Sequence, residues 1–321
     1  MGQPPVQLNS RRQEEARLYA RLNRYLFAAN LGVGALYLLF ALITGFSLWL
    51  KEWAQSLTSS TLLVVASYAL AFFLIYIALI TPLNFIGGYV WPHRFGLSRQ
   101  SLVAWSWDYV KVLMVGLVFM LMFIQVLYIL LRVSPEWWWL WMSVFYLLFI
   151  VVLTNLAPLI LVPIFYKLEP LEDIELVERL TALADRAGAR VKNVCKMDLS
   201  SKTTTANAAL MGLGNTRQIV LGDTLLEDYA DDEIETILAH ELGHHVHRDV
   251  ETGMLVESVT TLLALWLANM VLRWGIAAFG FDGITDIAAF PLFGLTQVGK
   301  TPPELFSPRR IVSVLPAQCR Q

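Results

Sequence analysis

Four of the chain's five histidines, His240, His244, His245 and His247, fall within eight residues. On a helix, His240 and His244 stand one turn apart and project from the same side. Two neutral imidazoles so placed can both reach one tetrahedral zinc. Glu241 lies beside them, positioned to take a proton from a water whose pKa the metal lowers toward about 7. The spacing His-Glu-x-x-His therefore reads as a hydrolytic metal site, with His240 and His244 as ligands and Glu241 as general base. The bare pattern also arises by chance on solvated helices, so its surroundings decide. His245 and His247 face other sides of such a helix and read as outer or surface groups. Asp249, five residues past His244, can orient that histidine as an outer carboxylate does; a plain role at the helix end is the alternative.

A helix carrying these groups needs a start and an apolar face. Asp232 is expected to cap it, with Glu235 three residues on as capping-box partner. Ile234, Ile237 and Leu238 supply the apolar face, and Gly243 would allow close packing. Upstream, Leu171 to Ala187 reads as an amphipathic helix, and Val191 to Met197 and Arg217 to Leu221 as short strands. Met211-Gly212-Leu213-Gly214 reads as a turn, because no helix start of the kind a phosphate loop needs follows it.

Beyond this segment the chain is unusually apolar. Of 321 residues 56% are hydrophobic and 16% charged, and the mean hydropathy is +0.55. A soluble globule carries about a quarter charged residues, so the composition points to a bilayer. The net charge of −2 gives no electrostatic case for nucleic acid. Cys195 and Cys319 offer neither a disulfide framework nor a Cys-x-x-Cys metal site. Residues 1–25 read as a tail holding Arg11, Arg12, Arg17, Arg21 and Arg24, and 26–166 as about four membrane helices, at 26–50, 61–90, 109–132 and 137–166. Each run reaches the roughly 20 residues a crossing needs. Residues 167–250 are the polar domain with the histidines; 251–295 hold a further span, at 254–281, and 296–321 an atypical tail. Arginines in the N-terminal tail and at Arg94 and Arg99 put that side, and with it 167–250, in the cytoplasm. Trp137, Trp138, Trp139 and Trp141 suit the opposite interface, or else pack between helices.

Read outward from the histidines, the sequence resembles the type I CAAX prenyl protease family of membrane zinc peptidases. The resemblance is carried by the run from Ala157 to Leu171, by Asn207-Ala208 followed by Gly212, and by Ile219-Val220-Leu221-Gly222-Asp223-Thr224-Leu225-Leu226. It implies a mainly α fold, a polytopic helical membrane protein with a small α+β zinc-metalloprotease domain. It further implies a gluzincin-like site facing the cytoplasm of a plasma, inner or endoplasmic reticulum membrane. Cleavage of prenylated CAAX-type or other membrane-associated proteins is the expected activity. Asn207 and Ala208 would then present an edge strand to a substrate backbone; a structural turn is the alternative from the residues alone.

Three departures qualify this. A hydrolytic zinc site uses three protein ligands, and the family's Glu-x-x-x-Asp segment on a later helix is not found. The apolar run Ile287 to Leu295 breaks off into Lys300, Pro302, Pro303, Pro308, Arg309 and Arg310, so the chain is expected to be truncated or frame-shifted near 296. Glu304 sits beside Pro303, which disfavours a ligand-bearing helix, and Glu257 would be carried away on the outgoing span. Two other readings stay open. One is a catalytically impaired pseudo-protease that binds membrane peptides. The other is a site-2-type intramembrane protease, using Phe281-Asp282-Gly283, against which stands the charge of 231–249. A transporter finds no paired broken spans.

Overall fold

The computed structural model describes residues 10–212 and 216–297, so Leu213, Gly214, Glu304, Cys319 and the rest of the tail from 298 lie outside the described residues. The chain starts with α1 (Ser10–Ile43), α2 (Phe46–Leu57) and α3 (Thr61–Phe85). A π-helical turn at Ile86–Val90 carries α3 into α4 (Trp91–Arg94). Then follow α5 (Leu102–Val133) and α6 (Trp138–Leu156), and a second π-helical turn at Ala157–Leu161 leads to α7 (Val162–Phe165). Pro158 lies inside this second turn and cannot donate to an α-helical ladder, so the helix widens there.

Five helical stretches among the described residues are long and apolar enough to cross a bilayer: Arg11–Ile43, Thr61–Arg94, Leu102–Val133, Trp138–Phe165 and Thr252–Phe279. They overlap the five expected runs, but the first differs at both ends, and residues 10–25, expected as tail, belong to its helix. The first run does not extend as one helix to residue 50. Gly45, at φ 73, turns the chain into the left-handed region after Ile43, and α2 begins at Phe46. At its other end α1 reaches upstream to Ser10, and its 34 residues span about 51 Å against roughly 30 Å of hydrocarbon. The tryptophans divide between the two readings. Trp138 is fully buried between helices and donates to Asn269 Oδ1 at 2.9 Å, whereas Trp137 and Trp141 are exposed, as an interfacial belt requires.

After the membrane helices come β1 (Leu168–Pro170), α8 (Ile174–Arg186), β2 (Asn193–Met197), β3 (Ala208–Met211), β4 (Gln218–Gly222), α9 (Asp223–Asp228) and α10 (Asp231–Val246). Then α11 (Asp249–Phe279) re-enters the apolar layer, and α12 (Phe290–Gln297) closes against α1 and α11. The four strands lie in the order β1-β2-β4-β3, with β2 and β4 parallel and both outer pairs antiparallel. All five residues of β4 are buried, which fits a strand flanked on both sides.

The small domain's core joins Leu176, Leu180 and Ala184 of α8 to Ile219 and Leu221 of β4 and to Ile234, Leu238 and Leu242 of α10. Those three α10 residues recur every four positions and form its buried stripe. Its start differs from expectation. The chain turns into α10 at Ala230, whose N–H donates to Glu233 Oε2 at 3.1 Å. Glu235 instead accepts from Arg179 Nε at 2.6 Å, tying α10 to α8. Asp223 heads α9 and receives the N–H groups of Leu199 and Ser200 and the Ser200 hydroxyl at 2.8, 2.9 and 2.6 Å. Burial pushes its carboxyl up, but the Ser200 hydroxyl and the N–H groups of Ser200, Leu199 and Thr224 outweigh this and hold it below the usual range.

Lys51 on α2 bridges Asp282 at 3.0 Å and Asp286 at 2.9 Å, and the Asp286 side chain is 2% exposed. Lys51→Met strands that buried carboxylate and should cost about 3–5 kcal/mol, read as a lower melting temperature in detergent. Asp223, with its folded pKa depressed, binds fewer protons folded than unfolded, so its stabilisation is present near neutral pH and fades as pH falls through that depressed value. The stability gap between the native protein and Asp223→Asn should therefore shrink below about pH 4.

Candidate metal centre

The buried stripe of α10 fixes which residues are left facing outward. With Leu238 and Leu242 in the core, His240 and His244 are exposed and Glu241 is half-buried. The two imidazoles stand 5.0 Å apart between ring centres with planes at 80°. Leu242, the apolar residue inside the motif, is the anchor that orients both histidines. Gly243 does not serve close packing: nothing among the described residues lies within 4 Å of where its side chain would begin.

Helix α10 ends at Val246, and Arg248 adopts φ 55 before α11 starts at Asp249. Asp249 thus sits at the N-terminus of the next helix, where the macrodipole favours a carboxylate. Its expected alternative, a role at a helix C-terminus, is corrected by that break. The break turns Asp249 back onto the motif, where it accepts from His244 Nδ1 at 2.6 Å. A carboxylate can only accept, so Nδ1 is the donor, and in the neutral imidazole that leaves the Nε2 lone pair for a metal ion. That is the tautomer a ligand histidine needs, and the donor chemistry fits a metal ion. His245 points away, with its Nε2 3.3 Å from Arg217 Nη1, and His247 lies exposed at the helix end. The remaining histidine, His93, faces the carbonyls of Tyr89 and Gln100.

Other residues singled out in the sequence fall away from the pair. Glu257 is carried off along α11, where its carboxylate receives the hydroxyls of Tyr146 and Thr261, each at 3.3 Å. Asp282 lies past the far end of α11 on Lys51; the 31 residues of that helix span about 46 Å. That separation removes the aspartate a site-2-type reading needs. Among the described residues no group of three His, Cys, Asp or Glu side chains is placed to hold a metal ion, and Glu304 lies outside them. Cys195 is buried, which pushes its thiol up and leaves it unreactive.

Asn207 and Ala208 sit where a peptide could pair. Strand β3 is an edge of the sheet, bonded on one side to β4, and α10 packs against it. The Asn207 carbonyl accepts from Gly222 N at 2.8 Å. A Cβ on Gly222 would stand 2.5 Å from Leu199 Cδ1 and 3.2 Å from the Asn207 carbonyl, so a larger residue here would have to displace Leu199. Sequence reasoning missed the contacts that hold the preceding loop, centred on Lys202 and Asp108. An acid at the head of an apolar helix was the available signal.

Residues 6–167 match the family described as CAAX prenyl protease N-terminal, five membrane helices, and residues 170–301 match peptidase family M48. Four crossing helices and the shorter α2 occupy the first stretch. The chain is 26% identical over 281 residues to an uncharacterized metalloprotease, YhfN, of Bacillus subtilis, covering 86% of this chain and 66% of that protein. It is 29% identical over 196 residues to CAAX prenyl protease 1 of Saccharomyces cerevisiae, covering 60% of this chain and 43% of that one. The chain thus spans less than two thirds of the length of either relative. A crystal structure of S. mikatae Ste24p shares the fold, with a TM-score of 0.76 at 23% identity, over 92% of this chain and 74% of that one. The order of membrane helices, edge strand and histidine helix and both matches lead to one conclusion: this integral, multi-pass membrane protein belongs to the CAAX prenyl protease family of metal-dependent peptidases.

Proposed function

We propose that the chain carries a zinc endopeptidase site in which His240 and His244 hold the metal, Glu241 is the general base and Asp249 orients His244. The observation that carries this reading is the hydrogen bond from His244 Nδ1 to Asp249 beside a second imidazole one turn away. Zinc bound there would supply Lewis acidity to the peptide carbonyl and to water. The residues of the chain do the rest. Glu241 takes the proton from the attacking water and returns it to the leaving amine. The free edge of β3, entered from Asn207 and Ala208, would pair with the substrate backbone and hold the scissile bond over α10.

The substrate class follows from the setting. The site is tethered through Asp249 to a membrane span and through β1 to the end of α7, so the catalytic groups stay near the bilayer surface. Membrane-associated peptides and proteins are the substrates this favours, prenylated C-terminal segments among them by analogy with the yeast relative's name. The arginine-rich start of α1 supports a cytoplasmic position for that surface under the positive-inside rule.

A second reading is favoured by one observation: the described residues bring two metal ligands together, not three. A chain completed by no further ligand would bind membrane peptides without cutting them. Cleavage of a membrane-anchored peptide with zinc supplied separates the two. Glu241→Gln should lower kcat by about 10²–10⁴ while leaving bound metal unchanged; equal turnover in both proteins would overturn the assignment of Glu241. Asp249→Asn should weaken zinc binding about 10–100-fold in a chelator competition, because His244 then loses its orienting carboxylate.

A further inference from the structure

The polar run from Asp198 to Thr205 leads straight to Asn207 and carries a lysine that the metal centre does not use. Lys202 Nζ donates to Asp108 Oδ2 at 2.5 Å and to the Phe165 carbonyl at 2.6 Å, and lies 4.5 Å from the centre of the Tyr166 ring. Asp108 belongs to α5, near its start, and Phe165 is the last residue of α7. One ammonium group therefore ties the loop to two membrane helices at once. Asp108 is itself held by Gln100 Nε2 at 2.6 Å and by Lys111 Nζ at 3.2 Å, and Lys111 also donates to the Ile164 carbonyl at 3.1 Å. The Lys202 and Asp108 side chains are about four-fifths covered. Removing one charge from so covered a pair leaves the other uncompensated.

The backbone on both sides is pinned as well. The Lys202 carbonyl accepts from Arg99 N at 3.1 Å and Ser98 Oγ at 3.2 Å, and Thr203 Oγ1 donates to the Leu97 carbonyl at 2.9 Å. The Thr205 carbonyl accepts from Thr224 Oγ1 at 3.1 Å and the Asn207 carbonyl from Gly222 N at 2.8 Å. Hydrogen bonds at residues 202, 203, 205 and 207 thus link the lysine to the start of β3, which pairs on its other side with β4.

We propose that Lys202 is a positioning residue for peptide binding: by clamping loop 198–206 to Asp108 and the Phe165 carbonyl, it sets where the free edge of β3 lies relative to α10. This rests on the peptidase reading above, in which that edge receives the substrate. Lys202 touches neither substrate nor metal in this role. Its loss should weaken binding of the peptide rather than the chemical step.

The test compares the full chain with Lys202→Met and Lys202→Arg in detergent with zinc supplied, reading cleavage of a membrane-anchored peptide and amide hydrogen exchange. Lys202→Met should raise KM about tenfold with kcat within about twofold. Lys202→Arg should recover most of that loss, because a guanidinium can donate to both acceptors. Exchange in residues 203–211 should speed up by about tenfold or more in Lys202→Met, while 234–242 stays as slow as in the native protein. An unchanged KM with unchanged exchange would overturn the proposal. So would a fall in kcat that tracks a lower melting temperature at constant KM. If the native chain cleaves nothing, the peptidase reading fails, and the exchange comparison alone then decides whether Lys202 holds the strand.

Discussion

Arg248 holds a backbone conformation, φ 55, that residues with a side chain adopt at a cost of roughly 1–2 kcal/mol. The rest of the site depends on that one residue. A continuous helix from Asp231 to Phe279 would turn Asp249, five residues beyond His244, about 140° away from its face. The left-handed step instead stops α10, starts α11 and folds Asp249 back to within 2.6 Å of His244 Nδ1. The same step gives the carboxylate a helix N-terminus to sit on. Strain at one peptide thereby places a carboxylate on one imidazole and joins α10 to α11.

The membrane portion was legible because it obeys one rule, apolar length: five helices long and apolar enough to cross a bilayer overlap the five expected runs. Its errors lie where local chemistry overrides that rule. Gly45 cuts the first run, and the burial of Trp138 depends on a partner, Asn269, 131 residues away. In the polar domain, α8, β2 and β4 were readable from periodicity, and the placing of β3 at the sheet edge followed from resemblance alone. The start of α10 was misread because several acids crowd it. Choosing among Asp231, Asp232, Glu233 and Glu235 needs Arg179, which draws Asp231 and Glu235 to α8 and leaves Glu233 to cap.

At the site itself, spacing placed His240, Glu241 and His244 on one helix and made Asp249 a candidate partner. It could not say which face the core would claim. Leu242 decides that, through contacts with α8 and the sheet that no local pattern contains. The loop around Lys202 was opaque for the same reason, since its partners Asp108 and Phe165 lie on other elements. The outcome is an architecture in which membrane helices hold both sides of the site, α11 through Asp249 and α5 with α7 through Lys202.

His240 and His244 are proposed to share a metal whose binding Asp249 supports. X-ray absorption at the zinc edge on the purified full chain, alongside metal content per protein, tests it most directly. The expected result is bound zinc with histidine scattering that is lost in His240→Ala and in His244→Ala and weakened in Asp249→Asn. Zinc retained with an unchanged spectrum in both histidine variants would contradict it.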